Sequence, residues 1–302
     1  MKRDLLSIAD LPPADLEEIF SLAQGLKADR QKGWPHPIRA GKTLAMIFEK
    51  PSLRTRVTFE AGMVQLGGYA IYLSPSDIGL GTRETVPDVA RNLSRWVDII
   101  MARTFSHQVI TELAQAATVP VINGLSDLLH PCQVLADCLT LIEHRGSLDD
   151  LKVAFVGDGN NMVHSWFNAA AKLPIRFVLA CPPGYEPDRE MLEHAHQSGA
   201  RVSVTHTVAE AVREADAVYT DVWTSMGQEE EVVVRREAFK DYQVNAHVMG
   251  LAKSGALVMH CLPAHRGEEI TADVLDGPQS VVFDQSENRL HIQKAIIVWL
   301  LQ

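Results

Sequence analysis

A short segment of this chain combines hydroxyl and guanidinium side chains at a predicted strand-to-helix junction. The apolar run 43–48 predicts a strand, and a helical pattern of apolar residues follows from Val57 onward. Between the two stand Ser52, Arg54, Thr55 and Arg56. Helix N-termini present backbone N–H groups to anions, and arginine matches the geometry of oxyanions. The segment therefore predicts a phosphate site, with a solvated helix start as the alternative.

Three more side chains that could bind a ligand or react stand at the ends of predicted strands. Arg103 follows the apolar run 97–102, Asp221 ends the run 216–221, and Cys261 follows the run 256–260. In open α/β sheets ligands bind at the carboxyl ends of parallel strands. A carboxylate there can hold an ammonium group. The ordinary alternatives are a surface arginine, a helix N-cap for the aspartate and a small buried hydrophobe for the cysteine.

His130 comes directly before a helix predicted to begin at Pro131 and to end near Arg145. Proline fits the first turn of a helix, where its missing N–H has no partner to lose. A histidine beside a helix N-terminus is disfavoured as a cation, so it can donate a hydrogen bond while neutral. Gln133 can add an amide donor one turn later. The alternative is a capping histidine without a catalytic part.

The segment Gly157-Asp158-Gly159-Asn160-Asn161 follows a predicted strand and opens a helix, as a dinucleotide site would. The third glycine of that motif is replaced by Met162, and two prolines follow the next strand where a ribose-binding acid belongs. The sequence therefore argues against a nicotinamide or flavin dinucleotide at this turn.

Composition narrows the class of protein further. The chain has 302 residues, enough for two domains, and 46% of them are hydrophobic, as in a globular enzyme. Its formal net charge of −10 argues against nucleic acid as a partner, since nonspecific binding needs a basic surface. No apolar run approaches the roughly 20 residues that span a bilayer, so we expect no membrane association.

The four cysteines, Cys132, Cys138, Cys181 and Cys261, form no C-x-x-C pair, which argues against a zinc site. So few cysteines in a long chain indicate reduced thiols. The first residues lack a signal-peptide pattern, and acidic residues begin at Asp4. We therefore expect a cytoplasmic location.

Apolar runs alternate with amphipathic segments along the chain, which predicts the α/β class with parallel sheets. We predict ten strands, at 43–48, 69–73, 97–102, 119–122, 152–156, 175–181, 201–205, 216–221, 256–260 and 280–283. Ten strands exceed one usual sheet, and the helical pattern breaks after Arg145. We therefore predict two domains, 1–147 and 148–302, each with a parallel sheet flanked by helices.

The motifs together resemble those of the aspartate/ornithine carbamoyltransferase family. The segment 52–56 is similar to its Ser-Thr-Arg-Thr-Arg signature, and four more motifs follow in the family's order and spacing. They are His130-Pro131-Cys132-Gln133, Asp158-Gly159-Asn160-Asn161, the segment 221–229 with Ser225-Met226-Gly227, and His260-Cys261-Leu262-Pro263. The resemblance covers nearly the whole chain, and the combination is far more specific than any single motif.

The resemblance implies a site and a reaction. It assigns catalytic roles to Arg103, His130, Asp221 and Cys261, the last not as a covalent nucleophile. The residues implied to bind carbamoyl phosphate are Ser52, Leu53, Arg54, Thr55, Arg103, His130, Pro131, Cys132, Gln133, Cys261, Leu262 and Arg289. Those implied to bind ornithine are Asn161, Asp221, Ser225 and Met226. The implied reaction moves the carbamoyl group to the δ-amine of L-ornithine, giving L-citrulline and phosphate.

The resemblance also implies a homotrimer that could assemble further, a last helix (about 286–302) that returns to the first domain, and no cofactor or metal. Leu53 departs from the family's threonine, and segment 77–84 matches a loop that reaches a neighbouring subunit's site, although no residue of it aligns cleanly. Two alternatives stay open: another amine acceptor, such as putrescine or an acylated ornithine, and a catalytically silent homologue. Arg54, Arg103, Cys261 and Arg289, which silent relatives tend to lose, are all present.

Overall fold

The structure, a computed structural model, describes residues 2–225 and 227–302, with only the backbone of Glu229. The chain folds into two compact units. The first comprises residues 1–139 and 287–302, and the second comprises residues 140–286. The domain boundary between residues 147 and 148 stays a prediction.

The first unit contains a parallel sheet of four strands in the order β2-β1-β3-β4. They are β1 (Thr43–Phe48), β2 (Tyr69–Leu73), β3 (Ile99–Arg103) and β4 (Val121–Leu125). The central strands β1 and β3 are buried along almost their whole length. Their nearly unbroken apolar sequence is what a strand covered on both faces requires.

The second unit contains a parallel sheet of five strands in the order β7-β6-β5-β8-β9. They are β5 (Lys152–Val156), β6 (Arg176–Ala180), β7 (Arg201–Thr205), β8 (Ala217–Thr220) and β9 (Leu257–His260). The central strand β5 pairs with β6 on one side and β8 on the other, so the chain reverses its winding direction next to β5. Such a reversal places a ligand crevice at the strand ends.

Helices connect the strands, as parallel pairing requires. In the first unit they are α1 (Pro13–Gln31), α2 (Leu53–Gln65), α3 (Pro75–Ile78), α4 (Val86–Trp96) and α5 (His107–Ala116). The helix α6 (Pro131–Arg145) follows β4. The second unit has α7 (Asn161–Ala170), α8 (Arg189–Gln197), α9 (Val208–Val212), α10 (Val232–Phe239), α11 (Ala246–Leu251) and α12 (Ala272–Leu275). The last helix is α13 (Val282–Leu300).

The last helix returns to the first unit, as predicted. Lys27 in α1 donates a hydrogen bond from Nζ to Oδ1 of Asn288 at 2.8 Å. Lys294 Nζ lies 3.1 Å from Oε1 of Gln65 at the end of α2. These contacts, with a buried apolar stripe that includes Ile292 and Ile296, hold the second half of α13 in the core of that unit.

Nine of the ten predicted strands are present within a few residues of their expected bounds, and the tenth prediction, 280–283, is wrong. Only Ser280 forms an isolated bridge, to Val258, and α13 already begins at Val282. The β-branched pair Val281-Val282 raises strand propensity locally, but the buried face of the long helix α13 overrides it. Among the described residues, no helix is long and apolar enough to cross a membrane.

Candidate active site

The hydroxyl and guanidinium segment forms the start of α2, as expected from its sequence. Ser52 has extended backbone and is the N-cap of α2, its Oγ accepting the Thr55 N–H at 3.3 Å. The helix begins at Leu53, whose side chain is 74% exposed. The first turn thus points its backbone N–H groups and positive dipole end outward, an arrangement that attracts an anion.

Thr55 connects two arginines that lie far from it in the sequence. Its Oγ1 accepts a hydrogen bond from Nη2 of Arg289 at 2.7 Å and a longer one from Nη1 of Arg103 at 3.4 Å. All three residues are buried. A hydroxyl that accepts from two cations is a strengthened donor through its own hydrogen. The ordinary alternative of a surface position is wrong for Arg103.

His130 is buried at the N-terminus of α6, beside this cluster. Burial, assisted by the positive charges of Arg289, Arg103, Arg54 and Lys50, holds the pKa of His130 well below its usual value of 6.5. The imidazole is therefore neutral at physiological pH. The sequence predicted this state from the helix N-terminus, whereas the structure attributes it to burial and four cations.

Gln133 lies one turn into α6 and is almost fully buried. Its Nε2 donates a hydrogen bond to Oδ1 of Asp137 at 2.8 Å. Its Oε1 accepts no hydrogen bond from residues 2–225 or 227–302. Because Asp137 Oδ1 can only accept, the amide nitrogen faces Asp137, and the buried amide oxygen is the atom left to accept a hydrogen bond. The sequence predicted an amide donor for a ligand here; in the structure the amide nitrogen donates to Asp137.

The second unit carries a separate polar cluster where β8 and β9 end. Asp221 follows β8, and its Oδ1 accepts hydrogen bonds from Sγ of Cys261 at 3.0 Å and from the Val222 N–H at 2.8 Å. Its Oδ2 accepts from Nδ2 of Asn160 at 3.2 Å. Asp221 is therefore a carboxylate placed between a thiol and an amide. Its alternative role as a helix N-cap is wrong, since residues 222–225 are not helical.

The other predicted residues of this unit are neighbours in the chain of Asn160, Asp221 or Cys261. Asn160 is the N-cap of α7, and Asn161 is the first residue of that helix. Ser225 donates its backbone N–H to Oε1 of Gln228 at 3.0 Å, within the turn after Trp223. Met226 lies outside the described residues. Leu262 follows Cys261 and has a left-handed backbone, with φ of 59°.

The four cysteines are free thiols, and Cys261 alone is partly exposed. Burial raises the pKa of Cys132 and Cys181 to about 12 and raises that of Cys138 further above its usual value. These three are small buried hydrophobes, as predicted. Cys132 is the second residue of α6, and its Sγ donates to the Asn123 carbonyl at 3.5 Å.

Two groups of described residues have metal-ligand types in proximity, namely Asp221, His260 and Cys261, and His265, Glu268 and Glu269. In the first, both ring nitrogens of His260 are already hydrogen-bonded. In the second, Glu268 forms an ion pair with Arg236. Neither group offers three uncommitted ligands, so we assign no metal to either.

Sequence reasoning missed three residues of the site. Lys50 is buried, with its ammonium 4.7 Å from the centre of the Phe105 ring, and burial followed by the charge of Arg103 lowers its pKa. Asp137 orients Gln133, and Asn160 orients Asp221. The signal for Lys50 was available, since it stands two residues before Ser52. Asn160 stands in the motif 158–161, although no role was assigned to it, and nothing in the sequence indicated Asp137.

Models of the aspartate/ornithine carbamoyltransferase family match nearly the whole chain. The carbamoyl-P binding domain matches residues 3–143, and the Asp/Orn binding domain matches residues 149–300.

This chain belongs to the aspartate/ornithine carbamoyltransferase family.

Individual relatives agree with that membership. The chain is 56% identical over 302 residues to an ornithine carbamoyltransferase of Syntrophus aciditrophicus, covering all of both chains. It is similar to the solved structure of ornithine carbamoyltransferase from Pyrococcus furiosus, with a TM-score of 0.95, 50% identity and coverage of 98% and 96% of the two chains. The solved structure of ornithine carbamoyltransferase from Thermus thermophilus is similar as well, with a TM-score of 0.91, 45% identity and complete coverage of both chains.

Proposed function

We propose that this protein transfers the carbamoyl group of carbamoyl phosphate to the δ-amine of L-ornithine, giving L-citrulline and phosphate. The observation that carries this conclusion is 56% identity to an ornithine carbamoyltransferase over the full length of both chains. The geometry supports it independently. One unit holds a cationic cluster suited to a phosphorylated carbonyl compound, and the other holds a carboxylate suited to an amine.

We assign carbamoyl phosphate to the cluster of the first unit. The phosphate would bind at the start of α2, with Ser52, Arg54, Thr55 and the backbone of Leu53. Its carbonyl oxygen would accept hydrogen bonds from Arg103, His130 and Thr55. The remaining residues assigned to this ligand are Pro131, Cys132, Gln133, Cys261, Leu262 and Arg289. Through its amide oxygen, Gln133 would accept a hydrogen bond from the carbamoyl NH₂.

We assign ornithine to Asn161, Asp221, Ser225 and Met226. The Asp221 carboxylate would hold the amine that attacks. Cys261 donates to the same carboxylate and so limits the directions in which Asp221 can accept a hydrogen bond from substrate. This role for the thiol is one of orientation, and it leaves no covalent step for sulfur.

The reaction follows from these assignments. The neutral δ-amine attacks the carbonyl carbon, a C–N bond forms, and the carbonyl oxygen gains negative charge. Arg103 and Thr55 stabilise that charge, and His130 donates a hydrogen bond to it from the N–H of its neutral imidazole. The bond from carbon to the phosphate oxygen then breaks, and the electron pair leaves with phosphate into the cationic cluster. The attacking nitrogen gives up one proton to the departing phosphate, which completes citrulline.

Orientation should provide much of the rate. Effective molarities of well-placed groups reach about 10⁵ M or more, and the carbonyl needs no cofactor to be reactive because phosphate is already a good leaving group. We further propose the domain bounds 1–147 and 148–302, a cytoplasmic location and a homotrimer, which could assemble further.

An amine competition experiment tests the choice of acceptor. Purified protein with carbamoyl phosphate is offered L-ornithine, putrescine and N-acetyl-L-ornithine separately and in pairs, and the carbamoylated products are separated. We expect citrulline to dominate every mixture that contains ornithine. Preferential carbamoylation of putrescine or of the acetylated amine would replace the proposed acceptor, and no product from any amine would indicate a silent homologue.

A further inference from the structure

Gln133 carries a buried amide of which only one end has a hydrogen-bond partner. Its side chain is 1% exposed, and its Oε1 accepts no hydrogen bond in the part of the chain that the structure describes. A buried carbonyl oxygen without a donor costs free energy, so such an atom in a native protein calls for an explanation. A ligand that brings an N–H or O–H group to Oε1 would supply the missing hydrogen bond.

The other end of the amide is held by Asp137. The two residues are four positions apart on α6, so their side chains lie on the same face of the helix. Nε2 of Gln133 donates to Oδ1 of Asp137 at 2.8 Å, and Asp137 is completely buried. If the amide turned over, its oxygen would meet the carboxylate oxygen, and two acceptors repel each other. Asp137 therefore admits one orientation of the Gln133 amide.

This orientation determines which ligands the amide can recognise. A glutamine that is free to turn over offers a ligand either a donor or an acceptor, whereas a locked one offers only an acceptor. The NH₂ of a carbamoyl group can donate to that acceptor, and the methyl group of an acetyl group of similar shape cannot. A site that is built to hydrogen-bond an N–H rejects the analogue that lacks it, because the buried acceptor is then left unpaired.

We propose that Asp137 determines the specificity for the transferred group, because it locks the Gln133 amide as an acceptor and so favours carbamoyl phosphate over acyl phosphates such as acetyl phosphate. This inference rests on the proposed function, since it places the carbamoyl group at Gln133. Asp137 touches no substrate and acts through Gln133, which makes it a positioning residue.

A matched pair of ligands measures this specificity. Phosphonoacetamide and 2-oxopropylphosphonate share a phosphonate and a carbonyl group, and they differ in carrying NH₂ or CH₃ on the carbonyl carbon. Calorimetry without ornithine gives the dissociation constant of each, and we call the ratio of the two, ketone over amide, the selectivity. We expect the wild type to bind the amide about 10- to 100-fold more tightly than the ketone.

Asp137→Asn removes the lock and keeps the size of the side chain. Asparagine offers both a donor and an acceptor, so the Gln133 amide can take either orientation. We expect the selectivity to fall at least about fivefold through weaker binding of the amide, while the dissociation constant of the ketone stays within about twofold of wild type. Cys138→Ala is the matched control, since Cys138 is the next residue and is also buried. It should lower the melting temperature without changing the selectivity.

An exchange of the two groups separates the lock from a stabilising role in the fold. Gln133→Glu combined with Asp137→Asn keeps the total charge, and the new amide can donate to the new carboxylate, which keeps an oxygen for the ligand. The double variant should regain the wild-type selectivity within about twofold. Gln133→Glu alone places two carboxylates together and should weaken binding of both phosphonates. If Asp137 only stabilised the fold, Asp137→Asn would lower the melting temperature and leave the selectivity unchanged.

Three results would overturn the proposal: a wild type that forms citrulline and binds both phosphonates equally, wild-type selectivity in Asp137→Asn, or a double variant no more selective than Asp137→Asn. The wild type and the double variant decide the question even where Asp137→Asn does not fold, since a double variant without selectivity contradicts the lock. Selective binding of the amide by a wild type that forms no citrulline, with recovery in the double variant, would contradict the proposed function and leave the role of Asp137 supported.

Discussion

At the scale of single residues, Arg54 is the side chain on which binding of the first substrate should depend most directly. It stands in the first turn of α2, between the N-cap Ser52 and the buried Thr55. A charge-assisted hydrogen bond to phosphate contributes about 1.5–3 kcal/mol. Arg54→Ala should therefore raise the dissociation constant of carbamoyl phosphate about 10- to 150-fold, as measured by calorimetry.

Arg56 provides a matched control for that measurement. It lies in the same turn, but its guanidinium packs over the Tyr72 ring at 3.8 Å and pairs with the exposed Glu60. Arg56→Ala should leave carbamoyl phosphate binding within about twofold of wild type. Equal losses in the two variants would mean that general surface charge, rather than a site at Arg54, attracts the ligand.

Asp221 should discriminate between the two substrates. Asp221→Asn keeps the size of the side chain but removes the charge that the amine requires. We expect ornithine affinity to fall about 10- to 150-fold while carbamoyl phosphate affinity stays nearly constant. Calorimetry with each ligand, the amine in the presence of saturating carbamoyl phosphate, separates the two effects.

The control for this variant is Asp216→Asn at the opposite end of β8. Asp216 pairs with Lys253 at 2.8 Å and accepts the Lys152 N–H at 2.9 Å. Its substitution should reduce the free energy of unfolding without changing the affinity for ornithine. The assignment of Asp221 would fail if both variants weakened both ligands alike.

At the scale of elements, α13 carries an unusual buried lysine whose titration should be visible in stability. Lys294 is fully buried beside His36 and Gln65. Burial, followed by the charge of Arg30, lowers the pKa of Lys294 to about 8 from 10.5. Between these values the unfolded chain binds more protons than the folded one, so the contribution of Lys294 to the free energy of unfolding rises with pH.

Lys294→Met removes that titration. The free energy of unfolding of the wild type, relative to the variant, should increase between pH 7.5 and pH 9.5 in urea denaturation at both pH values. The comparison of wild type with variant cancels the other groups that titrate in this range. A difference that is constant across the two pH values would show that Lys294 keeps an ordinary pKa in the folded protein.

Most elements could be predicted from the sequence, and the failures have a physical cause. The apolar runs of β1 and β5 are short and bounded by turn residues, so their strand assignment depended on local information alone. The segment 280–283 has the same local character, but its last two residues begin α13, whose buried stripe extends over the later turns. Local propensity could not reveal a helix that is stabilised mainly by tertiary packing.

The site shows the same division between local and long-range information. The strand-to-helix junction at Ser52 and the helix start at Pro131 follow from neighbouring residues, and both were predicted. The bridge from Thr55 to Arg103 and Arg289 joins residues up to 234 positions apart, and only the family resemblance brought them into one site. The orientation of the Gln133 amide could not be predicted, because it depends on Asp137 in the next helical turn accepting from the amide nitrogen.

At the scale of the whole molecule, an exposed apolar face supports assembly. Leu53, Val57 and Val64 on α2 and Tyr69 on β2 are each more than half exposed. Apolar side chains grouped on one face commonly mark a protein interface. If this face joins the chains of the proposed homotrimer, light scattering gives a mass about three times the 33.3 kDa of one chain.

Charged substitutions test whether this face forms the interface. Val64→Lys combined with Tyr69→Lys should lower the mass toward that of one chain. Val233→Lys, at a valine that is 80% exposed on α10 in the second unit, is the matched control and should leave the mass unchanged. A wild-type mass near that of a single chain would rule out the proposed homotrimer.

The most direct test of the carbamoyl transfer itself is the pH dependence of citrulline formation from carbamoyl phosphate and L-ornithine. An aliphatic amine has a pKa of roughly 10, so the neutral, attacking fraction of ornithine rises up to about tenfold per pH unit below that value. His130 is held neutral by burial and its cationic neighbours, so its titration should not interrupt the rise.

We therefore predict that citrulline and phosphate appear in equal amounts, that kcat/KM for ornithine increases steadily from pH 6 to pH 9, and that mass spectrometry finds no carbamoyl adduct on Cys261 during turnover. Absence of citrulline, a profile that is flat over this range, or a trapped adduct on Cys261 would contradict direct transfer to a neutral amine.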